Sequence, residues 1–247
     1  MALDRSRFEL EFDGASPDGW LPFYLPQWSS RQRTATRVSF NPLELRIDED
    51  QLPWSEEYGG ALRVSNLQTG VRSGPVGSTS GQHPFRDDLI VREHQPEQRT
   101  YTPHFGLIEA RVSALADPNC MVALWLIGFE ETPEQSGEIC IFEIFGKEVQ
   151  AGTAAIIGLG VHPFRDPTLE DDFARIGLVA DVEQPHTYSA VWHAGGVEFY
   201  IDDSLVYQTV QSPDYPMQLM LNIYEGEAGG AYPKRFPIEY VRGYRAR

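Results

Sequence analysis

Two glutamates lie inside one strand-like apolar run, Gly137-Glu138-Ile139-Cys140-Ile141-Phe142-Glu143-Ile144-Phe145-Gly146. Strict alternation would put Glu138, Cys140, Phe142 and Ile144 on one face and Ile139, Ile141, Glu143 and Phe145 on the other, which sends one carboxylate into a core. A β-bulge at Ile141/Phe142 removes the conflict. Ile139, Ile141/Phe142 and Ile144 then face the core, while Glu138, Cys140 and Glu143 share the opposite surface. Four to five strand steps separate the two backbones by roughly 13–16 Å. Side chains that each reach about 4 Å toward the other bring the carboxyl groups to about 5–6 Å, the spacing of a retaining glycosidase pair. One carboxylate would attack a sugar carbon. The other, kept protonated by its neighbour's charge and by desolvation, would protonate the departing oxygen and then activate water. The plain alternative is a solvated strand, because the chain has 36 acidic residues to place.

The elements that must hold such a pair are strands. Helical periodicity is nearly absent, and short alternating or apolar runs bounded by Gly, Pro, Asn and Asp recur throughout. Strands are expected at 8–12, 37–40, 43–47, 61–65, 71–74, 104–112, 121–127, 138–145, 154–161, 187–192, 197–201, 204–209, 217–224 and 238–244. Asp202-Asp203 is the expected turn of a hairpin. Residues 51–60, 78–100, 130–136 and 163–172 carry Pro, Gly and charge without periodicity and are expected as loops, which commonly border a cleft. The fold class is all-β, an antiparallel β-sandwich, expected as one domain over residues 1–247. The length, a hydrophobic fraction of 41% and 22 Gly with 18 Pro all suit such a fold.

A formal charge of −16 disfavours nucleic acid and anionic membranes as partners. The clusters Arg31, Arg33, Arg37 and Arg242, Arg245, Arg247 read as solvated faces. Two cysteines provide no disulfide framework, and Cys120 and Cys140 are expected as free thiols. No apolar run has the length of a transmembrane helix, and Met1-Ala2-Leu3-Asp4-Arg5 lacks the apolar core of a signal peptide, so the location is left open. No His/Cys spacing suggests zinc and no Gly-rich loop suggests a nucleotide.

Several blocks in order resemble glycoside hydrolase family 16, the laminarinase and lichenase group on a concanavalin A-like jelly roll. They are Phe8-Glu9-Leu10-Glu11-Phe12-Asp13-Gly14, His104-Phe105-Gly106-Leu107-Ile108-Glu109-Ala110-Arg111-Val112, Ala123-Leu124-Trp125-Leu126-Ile127-Gly128, the Glu138 to Glu143 run on the signature Glu-x-Asp-x-x-Glu, and later His186 to Trp192, Tyr200 to Asp203, Gln218 to Asn222 and Tyr240 to Tyr244. The resemblance implies Glu138 as nucleophile and Glu143 as general acid/base. It also implies Trp125, His162 and Asn222 as substrate contacts, each with a packing or hydrogen-bonding alternative. Trp20, Trp28, Trp54 and Tyr224 are further stacking candidates, and Glu109 and Arg111 are expected to be structural. No cofactor is implied. A structural calcium would fall at Glu239, a single carboxylate without an oxygen cluster around it. The family expectation is an extracellular, monomeric protein with a polysaccharide as its partner.

Two departures stand out. Cys140 occupies the place of the signature's Asp, which in the family hydrogen-bonds the nucleophile, and a thiol is a weak and normally neutral donor. Thr132-Pro133 stands where laminarinase-like members often carry Trp-Pro. The leading expectation is a retaining endo-hydrolase of a β-linked polysaccharide, with β-1,3- or mixed-linkage β-1,3/1,4-glucan first and galactans and xyloglucan next. The alternative is a lectin-like protein that kept the cleft and lost the chemistry. A polysaccharide lyase is disfavoured because the central strand is acidic.

Overall fold

The apolar runs pair into two large antiparallel sheets, with a separate two-stranded pair of Gly70–Val71 and Gln98–Arg99, in a computed structural model that describes residues 2–58 and 60–247. One sheet has the spatial order Ser204–Thr209, Gly196–Ile201, His186–His193, Gly106–Val112, Lys234–Ala246, Leu43–Ile47, Arg37–Phe40, with Phe8–Asp13 also on Lys234–Ala246. The other runs Val149–Gln150, Ala154–His162, Glu138–Phe145, Cys120–Gly128, Met217–Glu225, Arg63–Gln68, with Asp172–Leu178 also on Ala154–His162. Among the described residues the only helices are four 3₁₀ turns. This is the antiparallel sandwich that the strand pattern implied, in the jelly-roll form that the resemblance implied.

The main core lies between the sheets and takes one face of each strand. Val122, Leu124 and Leu126 meet Leu219, Leu221 and Ile223 there, together with Ile108, Ala110, Phe199 and Val241 from the facing sheet. The second sheet is also covered on its far side. Ala123, Trp125 and Ile127 join a separate cluster with Tyr24, Leu25, Trp28, Trp54, Leu89 and Val91. Burial on both faces explains why Ala123 to Gly128 reads as a continuous apolar run rather than an alternating one.

Most expected strands appear within a few residues of their expected bounds. The Asp202-Asp203 turn has both residues left-handed (φ 46° and 65°), the geometry of a type I′ hairpin. Two short strands, Gln98–Arg99 and Val149–Gln150, went unread, as did the longer Asp172–Leu178, which pairs only with Ala154–His162, is half exposed along its length and carries Arg175 and Gly177. Glu109 and Arg111 have the expected structural role and bond to other elements rather than to each other. Glu109 accepts from Arg5 Nε at 2.9 Å and from the Tyr244 hydroxyl at 2.9 Å, and Arg111 Nε donates to Glu239 at 2.7 Å. Both cysteines are free and buried.

Phe142 is fully buried beside the bulge, with ring centroids 4.8 Å from Tyr188 and 6.4 Å from Phe236. Phe142→Ala should cost about 3–5 kcal/mol through lost burial and an unfilled cavity. The check is the urea midpoint, with an unchanged m-value if two-state unfolding persists.

Candidate active site

The catalytic-type strand Glu138–Phe145 carries the inserted residue. Against Cys120–Gly128, Cys140 lies opposite Trp125 while Phe142 lies opposite Leu124, and against Ala154–His162, Cys140 lies opposite Gly160 while Glu143 lies opposite Gly158. Ile139, Ile141, Phe142 and Ile144 all enter the main core, whereas Cys140 joins the cluster on the other side. Glu138 and Glu143 therefore share a face. Gly158 serves this face, because a Cβ there would come within 2.7 Å of the Phe173 ring.

Both acids are held toward the neutral form. Burial first, then the charges of Glu143 and Glu130, push Glu138 up to about 8. Burial also raises Glu143, opposed by the His162 charge and by a bond from the Cys140 thiol. That thiol donates to Glu143 Oε1 at 3.8 Å, so residue 140 serves the second glutamate and not the first. Cys140 itself is fully buried and stays a thiol, its pKa raised by burial and by both acids. Glu138 therefore holds a proton at neutral pH in the free protein, and it can attack as a carboxylate only after giving that proton up.

Three non-glycine residues in left-handed backbone conformation meet beside Glu138: His83 (φ 51°), Glu130 (φ 57°) and Phe164 (φ 49°). Such residues cost about 1–3 kcal/mol each and persist only where surrounding contacts enforce them. Here the His83 N–H donates to Glu130 Oε1 at 2.6 Å, and the His83 ring stacks on Phe164 at 4.8 Å. His83 Nδ1 lies 3.4 Å from Glu138 Oε1. Burial pushes Glu130 up to about 8, and burial with the Arg165 charge pushes His83 down to about 4, so both are neutral at pH 7. The start of the strand is tied down nearby, with the Tyr215 hydroxyl accepting from Gly137 N–H at 2.7 Å and donating to Asp166 at 2.7 Å. Sequence reading passed over His83 and Glu130 because both fall in stretches without periodicity, and only the fold brings them to the strand.

The expected substrate contacts divide. His162 lies opposite Glu138 in register, is partly exposed, stacks on Phe173 at 4.6 Å and bonds Asp171. Trp125 is nearly buried and meets the edge of His83 at 5.3 Å, so it forms the floor beneath the acids. Asn222 does not reach the surface. It is fully buried and donates to Asn66 Oδ1 at 3.1 Å, because the segment around Phe23 and Leu25 bonds Asn66 and Gln68 and covers that end of the sheet. Trp20 packs on Phe12, and Trp28 is wholly enclosed. Trp54 is buried against Tyr24 and the partly exposed Phe85, and Tyr224 meets Tyr24 edge-on at 5.5 Å. The calcium expectation finds no support: Glu239 is taken by the Arg111 guanidinium, and no cluster of three His, Cys, Asp or Glu suited to a metal occurs among the described residues.

A two-sheet jelly roll with paired acids on one strand of the covered sheet defines a carbohydrate-active class of protein, and comparison gives its family. Residues 96–242 match the model of "Glycosyl hydrolases family 16", and the chain belongs to that family. Its structure is similar to a GlcNAcα1-4Gal releasing endo-β-galactosidase from Clostridium perfringens (TM-score 0.84, 24% identity, covering 100% of this chain and 64% of that one). It is also similar to SCLam, a non-specific endo-β-1,3(4)-glucanase (0.66, 18%, 100% and 94%), and to the laminarinase catalytic domain of Thermotoga maritima (0.57, 16%, 97% and 99%). The chain thus spans less than two thirds of the length of the Clostridium protein. No curated protein matched by sequence.

A carboxyl raised from 4.5 to about 8 supports the fold only while protonated, so its contribution is lost as pH rises through that window. Glu138→Gln removes the loss. Its melting temperature should exceed that of the wild type by about 2–5 °C at pH 8.5, with the gain vanishing at pH 5. Paired thermal melts across pH check this.

Proposed function

We propose that this protein is a retaining endo-hydrolase of a β-linked glycan that works by double displacement. The single observation that carries the reading is the bulge that turns Glu138 and Glu143 onto one partly desolvated face. Glu138 gives up to solvent the proton it holds in the free protein and, as the carboxylate, attacks the anomeric carbon while Glu143 gives its own proton to the glycosidic oxygen, so the leaving chain departs and a glycosyl ester forms on Glu138. Glu143, now ionised, takes a proton from water. The water oxygen attacks the same carbon, the ester bond to Glu138 breaks, and the product keeps its β configuration. His162 beside the acids is the substrate-contacting side chain in this reading, and an extracellular polysaccharide the expected partner.

Two observations favour a β-galactosidic chain over β-1,3-glucan as the first substrate to test. The Clostridium endo-β-galactosidase superposes at 0.84 against 0.57 for the Thermotoga laminarinase, and Thr132-Pro133 replaces the Trp-Pro of laminarinase-like sequences. The lectin-like reading draws on Cys140, which leaves Glu138 without a donor from its own strand.

Reducing-sugar release is measured on β-galactans, galactose-containing oligosaccharides, laminarin and mixed-linkage glucan. Cleavage of one of them should fall by about 10³-fold or more in Glu138→Gln and in Glu143→Gln. Azide added to Glu138→Ala should return activity with inverted product. Wild-type rates in either glutamine variant would overturn the assignment, and tight oligosaccharide binding with no turnover would favour the lectin. Cys140→Asp separates the two further, since only a dormant enzyme gains activity from it.

A further inference from the structure

We infer that His83 is the positioning residue of Glu138: its neutral imidazole carries a proton on Nδ1 and donates it to the ionised Glu138 carboxylate, fixing that carboxylate for attack. The inference rests on the double-displacement reading of the two glutamates. His83 Nδ1 is buried 3.4 Å from Glu138 Oε1 and has no hydrogen-bond partner in the free protein. A buried polar nitrogen without a partner is unfavourable, and a native structure keeps one where a partner arrives during function. Contacts of this length tighten when the acceptor ionises or substrate closes the site. The donor on Glu138's own strand, Cys140, is turned to Glu143.

The ring is held in place from three directions. Gln82, its chain neighbour, is buried. The Gln82 side chain accepts from Arg72 N–H at 2.8 Å and donates to Phe129 O at 3.1 Å and Gln218 Oε1 at 2.8 Å, and its carbonyl accepts from Gln27 and Trp28 at 2.9 Å each. The His83 N–H is fixed by Glu130, and the imidazole sits between the Phe164 face and Trp125. Arg165 bonds the Pro84 carbonyl at 2.8 Å and brings its charge beside the ring. The strain at His83, Glu130 and Phe164 is thus spent on one imidazole aimed at one carboxylate. Around Glu138, the acids Glu143 and Glu130 oppose its ionisation, the Tyr24 and Tyr224 phenols and the Cys140 thiol feel its charge, and His83 is the donor within reach.

The test uses the full chain. His83→Phe keeps a ring between Phe164 and Trp125 and removes the donor, while His83→Asn places an amide nitrogen near the Nδ1 position. With carboxyl-¹³C glutamate, the Glu138 titration should move up by about one pH unit in His83→Phe and stay near wild type in His83→Asn. On whichever glycan the wild type cleaves, kcat should fall at least about tenfold in His83→Phe with KM unchanged, and the acid limb of kcat/KM should move with the titration. An unmoved titration and pH profile in His83→Phe overturn the inference, as does an equal shift in both variants. If the wild type cleaves no glycan, the double-displacement reading fails, and the carboxyl titration still decides for His83. If His83→Phe does not fold, the wild-type ring ¹⁵N shifts decide: a proton on Nδ1 supports the assignment, and a proton on Nε2 overturns it.

Discussion

The extra residue at Ile141/Phe142 is the constraint on which the rest of the site depends. Glu138 and Glu143 are five positions apart, an odd number, so a regular strand would aim them at opposite faces. One unpaired residue changes the parity and leaves both neighbouring strands in register on either side of it. It also lets four apolar side chains, Ile139, Ile141, Phe142 and Ile144, anchor the strand in the main core. The acids stand on a strand paired on both sides within the sheet, between Cys120–Gly128 and Ala154–His162.

The same arrangement sets the electrostatics. Trp125, Tyr24 and Tyr224 exclude water from the acids' face, and exclusion of water is what raises both carboxyls. A desolvated, like-charged pair is unfavourable for folding and useful for chemistry, because a proton retained at neutral pH is one that can be given to a leaving group. Left-handed backbone at His83, Glu130 and Phe164 adds to the same cost in the same place. The compensation is spread over the two clusters that cover the sheet on both sides.

How much could be read from residues alone follows from periodicity. The shared face of Glu138 and Glu143, the bulge and the positions of the longer strands were legible because apolar side chains with a fixed spacing leave few ways to satisfy a core. The Asp202-Asp203 turn was legible for its backbone preference. Asp172–Leu178 was not, since a half-exposed edge strand with Arg175 and Gly177 lacks the alternation that identifies a buried one. Asn222 is expected at the cleft from its family position, and strand parity does turn it to that face. Parity says nothing of the segment through Phe23 and Leu25 that covers it. His83 and Glu130 carried no local signal, since their meaning comes from a contact 47 residues apart in the chain.

The second cluster has a consequence for how this protein could diversify. Tyr24, Trp28, Trp54, Leu89 and Val91 all precede residue 96, where the match to the family model begins, while the two acids and Trp125 lie inside it. Much of the layer that covers the acids' sheet and the strand that carries the acids are thus encoded in separate stretches of the chain. Substitutions in the covering layer leave the parity of the Glu138–Phe145 strand untouched, so the surroundings of the two acids can change in sequence without the strand that carries them changing with them.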